Sequence, residues 1–125
     1  MAVSAAFRDY LEDLLSGLGP IRIKAMFGGA GVYAGELMFG LIADDTLYIR
    51  ADAETEAAFS EAGSEPFTYP TRDGAHLTMS YWRAPEEAME SPDAALEWAR
   101  LGLDAARRKA AAKGAKKGGR KPRAA

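Results

Sequence analysis

The sequence predicts an α+β domain: an antiparallel sheet of five strands with helices packed on it, in the order α-β(3)-α-β(2)-α. Three observations carry this. Apolar residues recur at helical spacing up to Leu18, alternate from Ile21, and return to helical spacing after Ser91. The alternating runs are separated by short turns that force antiparallel neighbours. Cap and stop residues bracket three helical segments.

Ser4 is placed to cap a first helix carrying Phe7, Leu11, Leu14, Leu15 and Leu18, which Gly17, Gly19 and Pro20 end. Then Ile21, Ile23, Ala25 and Phe27 point one way, and Arg22, Lys24 and Met26 the other. Gly28, Gly29 and Gly31 allow a bend or bulge before Val32 and Tyr33 close this first strand. Ala34-Gly35-Glu36 reads as a hairpin turn, 37–43 as a strand, Asp44-Asp45 as a turn and 46–51 as a third strand. Asp52 suits the N-cap of a short helix through Ala62, with Glu54 and Glu56 favourable in its first turn and Gly63 past its end. Pro66 and Pro70 cannot donate to a ladder, so 66–69 reads as an edge strand. Asp73-Gly74 is a hairpin turn into a strand over 75–83, and Ser91-Pro92 starts the last helix.

The chain has 125 residues, a formal charge of −2 and no cysteine. That is the size of one domain, without a disulfide framework, a thiol nucleophile or a thiolate metal site. No apolar run approaches the roughly 18 residues of a membrane span. Arg8, Asp9, Glu12 and Asp13 interrupt the region where a signal peptide would be apolar, so a cytoplasmic protein is expected. The small net charge hides a division. Residues 1–106 hold 7 basic and 18 acidic residues, whereas residues 107–125 hold 9 basic and no acidic ones. The last segment has nothing more apolar than alanine to offset the entropy of ordering. It reads as a disordered basic tail on an acidic domain of residues 1–106.

The 37–43 strand is apolar on both sides: Leu37, Phe39 and Leu41 alternate with Met38 and Ile42. Tyr48, Trp82 and Met26 also lie opposite their strands' main apolar rows. Met26, Met38, Ile42, Tyr48 and Trp82 are therefore a candidate second apolar surface, for a protein partner or a second copy, unless helices cover it.

Two segments carry a family resemblance: AMFGGAGVYAGELMFGLIADDTLYIRAD (25–52) and GSEPFTYPTRDGAHLTMSYWRAPEEAMESPDAALEWA (63–99). In combination, Met26-Phe27-Gly28-Gly29, Met38-Phe39-Gly40 and the block from Pro66-Phe67 to Met79-Ser80-Tyr81 resemble the N-terminal domain of the TfoX/Sxy competence regulators. The likeness covers roughly residues 7–105. It implies an α+β fold shared with secretion chaperones and a non-enzymatic, regulatory role. Two-domain members act in competence gene activation alongside a cyclic-AMP receptor protein; where they carry a second domain, this sequence has its basic tail.

The sequence offers little catalytic chemistry. Gly29-x-Gly31-x-x-Ala34 fits a dinucleotide pattern, but a strand and a turn follow where a helix N-terminus would have to receive the pyrophosphate. His76, the only histidine, is four residues from Ser80 on one strand, roughly 13 Å away and beyond a catalytic hydrogen bond. Asp44, Asp45, Asp52, Glu54 and Glu56 lack the spacing of a calcium loop. No cofactor or metal is implied. The remaining chemistry is the tail: Arg107, Arg108, Lys109, Lys113, Lys116, Lys117, Arg120, Lys121 and Arg123 supply point charges for phosphates. With no aromatic residue among them, contact with DNA or RNA would be electrostatic and nearly blind to sequence. Two classes of function follow: a TfoX-like regulatory protein with nucleic-acid affinity in its tail, or a protein-interaction or dimerisation module whose tail is incidental. A small-ligand protein or enzyme using the glycines at 28–31 is a weaker third.

Overall fold

A computed structural model describes residues 4–26, 29–70 and 76–119. The elements are α1 (Ala5–Leu14), a 3-10 turn (Ser16–Leu18), β1 (Arg22–Met26), β2 (Gly29–Ala34), β3 (Leu37–Ala43), β4 (Thr46–Arg50), α2 (Glu56–Glu61), β5 (Pro66–Pro70), β6 (His76–Arg83), α3 (Glu86–Glu90) and α4 (Pro92–Gly119). The strands form one antiparallel sheet in the order β1-β2-β3-β4-β6-β5. The class is α+β, with six strands rather than five.

The additional strand comes from the first alternating run, which is two strands paired with Met26 opposite Gly29. A glycine-rich connection has no hydrophobic period, so alternation alone cannot separate a bend from a reversal. Phe27 and Gly28 lie outside the described residues, as does the expected Asp73-Gly74 turn. Asp44 and Asp45 have φ of 57° and 53°, the left-handed pair of a two-residue hairpin turn. Asp45 Oδ1 accepts the Ser4 N–H at 2.9 Å, and Ser4 Oγ accepts the Phe7 N–H at 3.1 Å. The expected cap of α1 is thus tied to the tip of the β3–β4 hairpin.

β3 carries a bulge. Val32 faces Gly40, but Tyr33 faces Met38, so Phe39 is the extra residue. Its insertion puts both Phe39 and Gly40 on the helix side and moves Ile42 there too. The core accordingly holds Ile23, Ala30, Val32, Phe39, Ile42, Leu47 and Ile49 from the sheet, with Leu11, Leu14 and Leu15, Phe59, Ala88, and Ala95, Ala99 and Leu103 from the helical segments. α4 lies across β3 and β4. It approaches closely at Gly102, where a Cβ would stand 2.6 Å from Ile49 Cγ2 and 3.0 Å from the Phe39 carbonyl oxygen. Phe59 meets Trp98 at an interplanar angle of 51° with centroids 4.9 Å apart, and lies 6.2 Å from Trp82.

Three further elements differ from expectation. α2 begins after a turn at 52–55, so Asp52 caps that turn: its Oδ1 accepts the Glu54 N–H at 3.1 Å. α3 is a single turn begun by Pro85 with Glu86 and Glu87 behind it, too short to leave a period. α4 runs through residue 119, past the boundary at 106 that composition suggests. Alanine, lysine and arginine are strong helix formers, so a segment poor in apolar residues extends a helix already nucleated on the core. β5 is an edge strand, as its prolines require.

Candidate nucleic-acid interface

The basic segment leaves the domain as the end of α4, and its first residues are engaged with the fold. Arg108 meets Asp52 through two hydrogen bonds, Nε to Oδ2 at 2.6 Å and Nη2 to Oδ1 at 3.0 Å, and Glu54 Oε2 is 3.4 Å from Nε. Arg107 pairs with Asp104 one turn back at 3.4 Å. Two of the nine cations expected to meet phosphate therefore already face carboxylates. A planar fork held by a carboxylate ties this turn of α4 to the turn that precedes α2. Lys109, Lys113, Lys116 and Lys117 continue along the helix; Arg120, Lys121 and Arg123 lie outside the described residues.

The Arg108 hydrogen bond holds the Asp52 carboxyl below the usual aspartate range, against the opposing effect of burial. A lowered folded pKa contributes stability that is complete above the unfolded pKa and is lost as pH falls through the folded one. Arg108→Gln is expected to lower stability at neutral pH; its deficit should begin to shrink below about pH 4, the unfolded aspartate range, and disappear only as pH falls through the lower pKa that Asp52 has in the folded parent. Chemical denaturation across pH checks this; a constant difference would show that the pair is not its source. Both side chains are about a third exposed (37% and 30%), so solvent screens the pair and the effect is modest.

The five residues expected to form a second apolar surface separate. Ile42 is fully buried in the core. Trp82 shares the helix side of the sheet with Ile49 and packs against the core. Met38 and Tyr48 lie on the other side, Met38 opposite Tyr33 and Tyr48 between Leu41 and Arg83. Met26 holds a register position on that same side, in step with Lys24. The bulge accounts for Ile42; for Trp82, it is the register with Ile49 that decides.

The uncovered side has a character the five-residue surface did not anticipate. Arg22, Lys24, Arg50 and Arg83 all lie on it, and no aspartate or glutamate stands in any of the six strands. Arg22 and Lys24 flank the Tyr33 ring at 5.9 and 5.5 Å. Arg50 lies over Tyr81 at 4.9 Å, and its Nε donates to the Met38 carbonyl at 3.3 Å, to which the Tyr81 hydroxyl also donates at 3.4 Å. Tyr48 meets Phe67 edge to face at 4.8 Å. Burial pushes the phenol pKa of both Tyr48 and Tyr81 up, opposed by Arg83 and Arg50 respectively. The signal was available in the sequence: four of the seven cations of residues 1–106 fall in alternating runs that contain no acid.

The glycine motif lies in β2, which leads into a hairpin and then β3, so no helix N-terminus follows it. Gly40, like Gly102, sits where a side chain would crowd the core: a Cβ there would be 3.2 Å from Val32 Cβ. The family of the TfoX N-terminal domain matches residues 13–106, spanning the sheet, most of the core and α4 up to Ala106. The chain belongs to that family. The TfoX-family match stops one residue before Arg107, leaving the basic continuation of α4 outside it. Over 75 residues the chain is 33% identical to the DNA transformation protein TfoX1 of Aliivibrio fischeri, covering 60% of this chain and 35% of that protein. The chain thus matches about a third of its relative's length. No described helix is long and apolar enough to cross a membrane.

Proposed function

We propose that this TfoX-family protein is a small non-enzymatic regulator, related in role to DNA transformation, held to nucleic acid by the basic continuation of α4. The observation that carries the reading is the division of charge: an acidic domain ends in a helix whose exit carries nine cations and no carboxylate. The helix presents the charges up to Lys117 at fixed rise, and each phosphate neutralised releases counterions whatever the base sequence. The kinship with a DNA transformation protein supports placing that affinity in a regulatory setting. A pure protein-interaction or dimerisation module is the less supported reading, since of the five residues that suggested it Ile42 is in the core and Trp82 packs against it.

The test keeps the fold intact. Removing residues after 106 would also remove the Arg108 anchor, so the informative variant changes Lys113, Lys116, Lys117, Arg120, Lys121 and Arg123 to glutamine in the full chain. Anisotropy with a labelled DNA duplex across a salt series should give log K falling with a slope near −4.5 for about five phosphates neutralised. The sixfold variant should bind far more weakly and with a flatter slope. Equal affinity and slope for the two proteins would remove the tail from the function.

A further inference from the structure

We infer that the uncovered side of the sheet is a binding platform for single-stranded nucleic acid, distinct from the basic helix and resting on the proposed nucleic-acid role only for its setting. The platform is built by register. Lys24, Gly31, Leu41, Tyr48 and Arg83 are successive cross-strand partners in one row across β1, β2, β3, β4 and β6. Four strand spacings separate its cationic ends by roughly 19 Å. Beside it lies a second group: Arg22, Tyr33 and Met38, with Arg50 on Tyr81.

Charge selects the occupant. A second copy of this face would bring four cations against four, and the repulsion is offset at one end of the row, where Glu65 lies 3.8 Å from Arg83. The face is complementary to a polyanion. The aromatic rings decide which kind. Tyr33, Tyr48 and Phe67 are only half-buried and lie among the cations, the combination that stacks unpaired bases while the backbone is neutralised. A duplex hides its base faces and offers such a platform phosphates alone. Arg50 also borders a cavity of about 500 Å³, whose lining sets Asp52, Glu54 and Glu56 against Arg108 and Lys109, so the cationic path ends at Arg50.

The test uses the full chain, a labelled oligothymidylate and a labelled duplex of equal length, by anisotropy at low salt. Tyr33→Leu with Tyr48→Leu keeps apolar bulk but removes two stacking planes. It should weaken oligothymidylate binding at least about tenfold and leave duplex binding unchanged. Lys24→Glu, an exposed change that spares the core, should also weaken single-strand binding. In the sixfold tail variant, single-strand binding should persist and remain sensitive to the tyrosine pair, which separates failure of the platform from failure of the tail. Absence of oligothymidylate binding by the full chain would overturn the proposal. So would tyrosine and lysine variants that bind it like the parent, or that lose single strand and duplex equally; an acidic protein partner would then be the occupant to seek.

Discussion

Phe39→Ala should destabilise the protein by about 3–5 kcal/mol, a large share of the roughly 5–15 kcal/mol that holds a domain folded. The side chain is only 1% exposed and lies in the core, with its carbonyl under Gly102 of α4. Its removal takes away apolar burial and leaves a cavity bounded by strands on one side and a helix on the other. The site has little freedom to collapse, because the bulge fixes the backbone at Phe39 and Gly40 and α4 already touches the sheet there. Thermal or urea unfolding followed by circular dichroism reads the loss. Because the bulge aims Phe39 toward the helices, the variant should leave the chemistry of the opposite face unaltered in molecules that remain folded. A loss below 1 kcal/mol would mean that Phe39 is not the packing centre its burial indicates.

That bulge is also where the sequence is hardest to read. Class, the turns at Gly35-Glu36 and Asp44-Asp45, the α1 cap and the proline-marked edge strand follow from local rules, and the structure keeps them. The sides taken by residues 37–42 do not, because one inserted residue exchanges the faces of everything on one side of it. Leu37-Met38-Phe39-Gly40-Leu41-Ile42 looks apolar on both faces if it is treated as a regular strand. With Phe39 as the extra residue, Leu37, Phe39 and Ile42 face the helices, while Met38 and Leu41 face out. The five-residue apolar surface was therefore partly a product of assumed regularity.

The basic platform was legible in principle and was missed for a different reason. Arg22 and Lys24 occupy one side of their strand in the sequence pattern itself. Their nearness to Arg50 and Arg83 depends on pairings between strands far apart in the chain, in which β4 lies beside β6 and not β5. Net charge points away from the site, since the acidic residues of the domain that are described all lie in helices, turns and loops. The helical path of the basic segment has a similar origin. Composition reports that residues beyond 106 cannot build a core, but a helix already packed at Ala95, Ala99 and Leu103 needs no core of its own to continue.

Gly29→Val is expected to cost about 3 kcal/mol or more and to loosen the β1–β2–β3 part of the sheet. A Cβ at position 29 would be driven into the Ile42 carbonyl oxygen and would stand 3.3 Å from the Ile42 carbonyl carbon. Both are backbone atoms of β3, so no side-chain rotation relieves the clash; the strands must shift relative to one another. Valine ordinarily favours a strand by up to about 1 kcal/mol, so intrinsic propensity predicts the opposite sign and the experiment discriminates between the two effects. Displacing Gly29 also disturbs Ala30 opposite Ile42 and Gly31 opposite Leu41, and through them the row joining Lys24 to Tyr48. The variant should therefore lose single-strand affinity along with stability, while the basic end of α4, which does not contact Gly29, keeps its salt-dependent binding to duplex. Hydrogen exchange should show faster amide exchange in β1 to β3 than in α4. Uniform acceleration throughout would mean that the sheet and helix unfold as one unit.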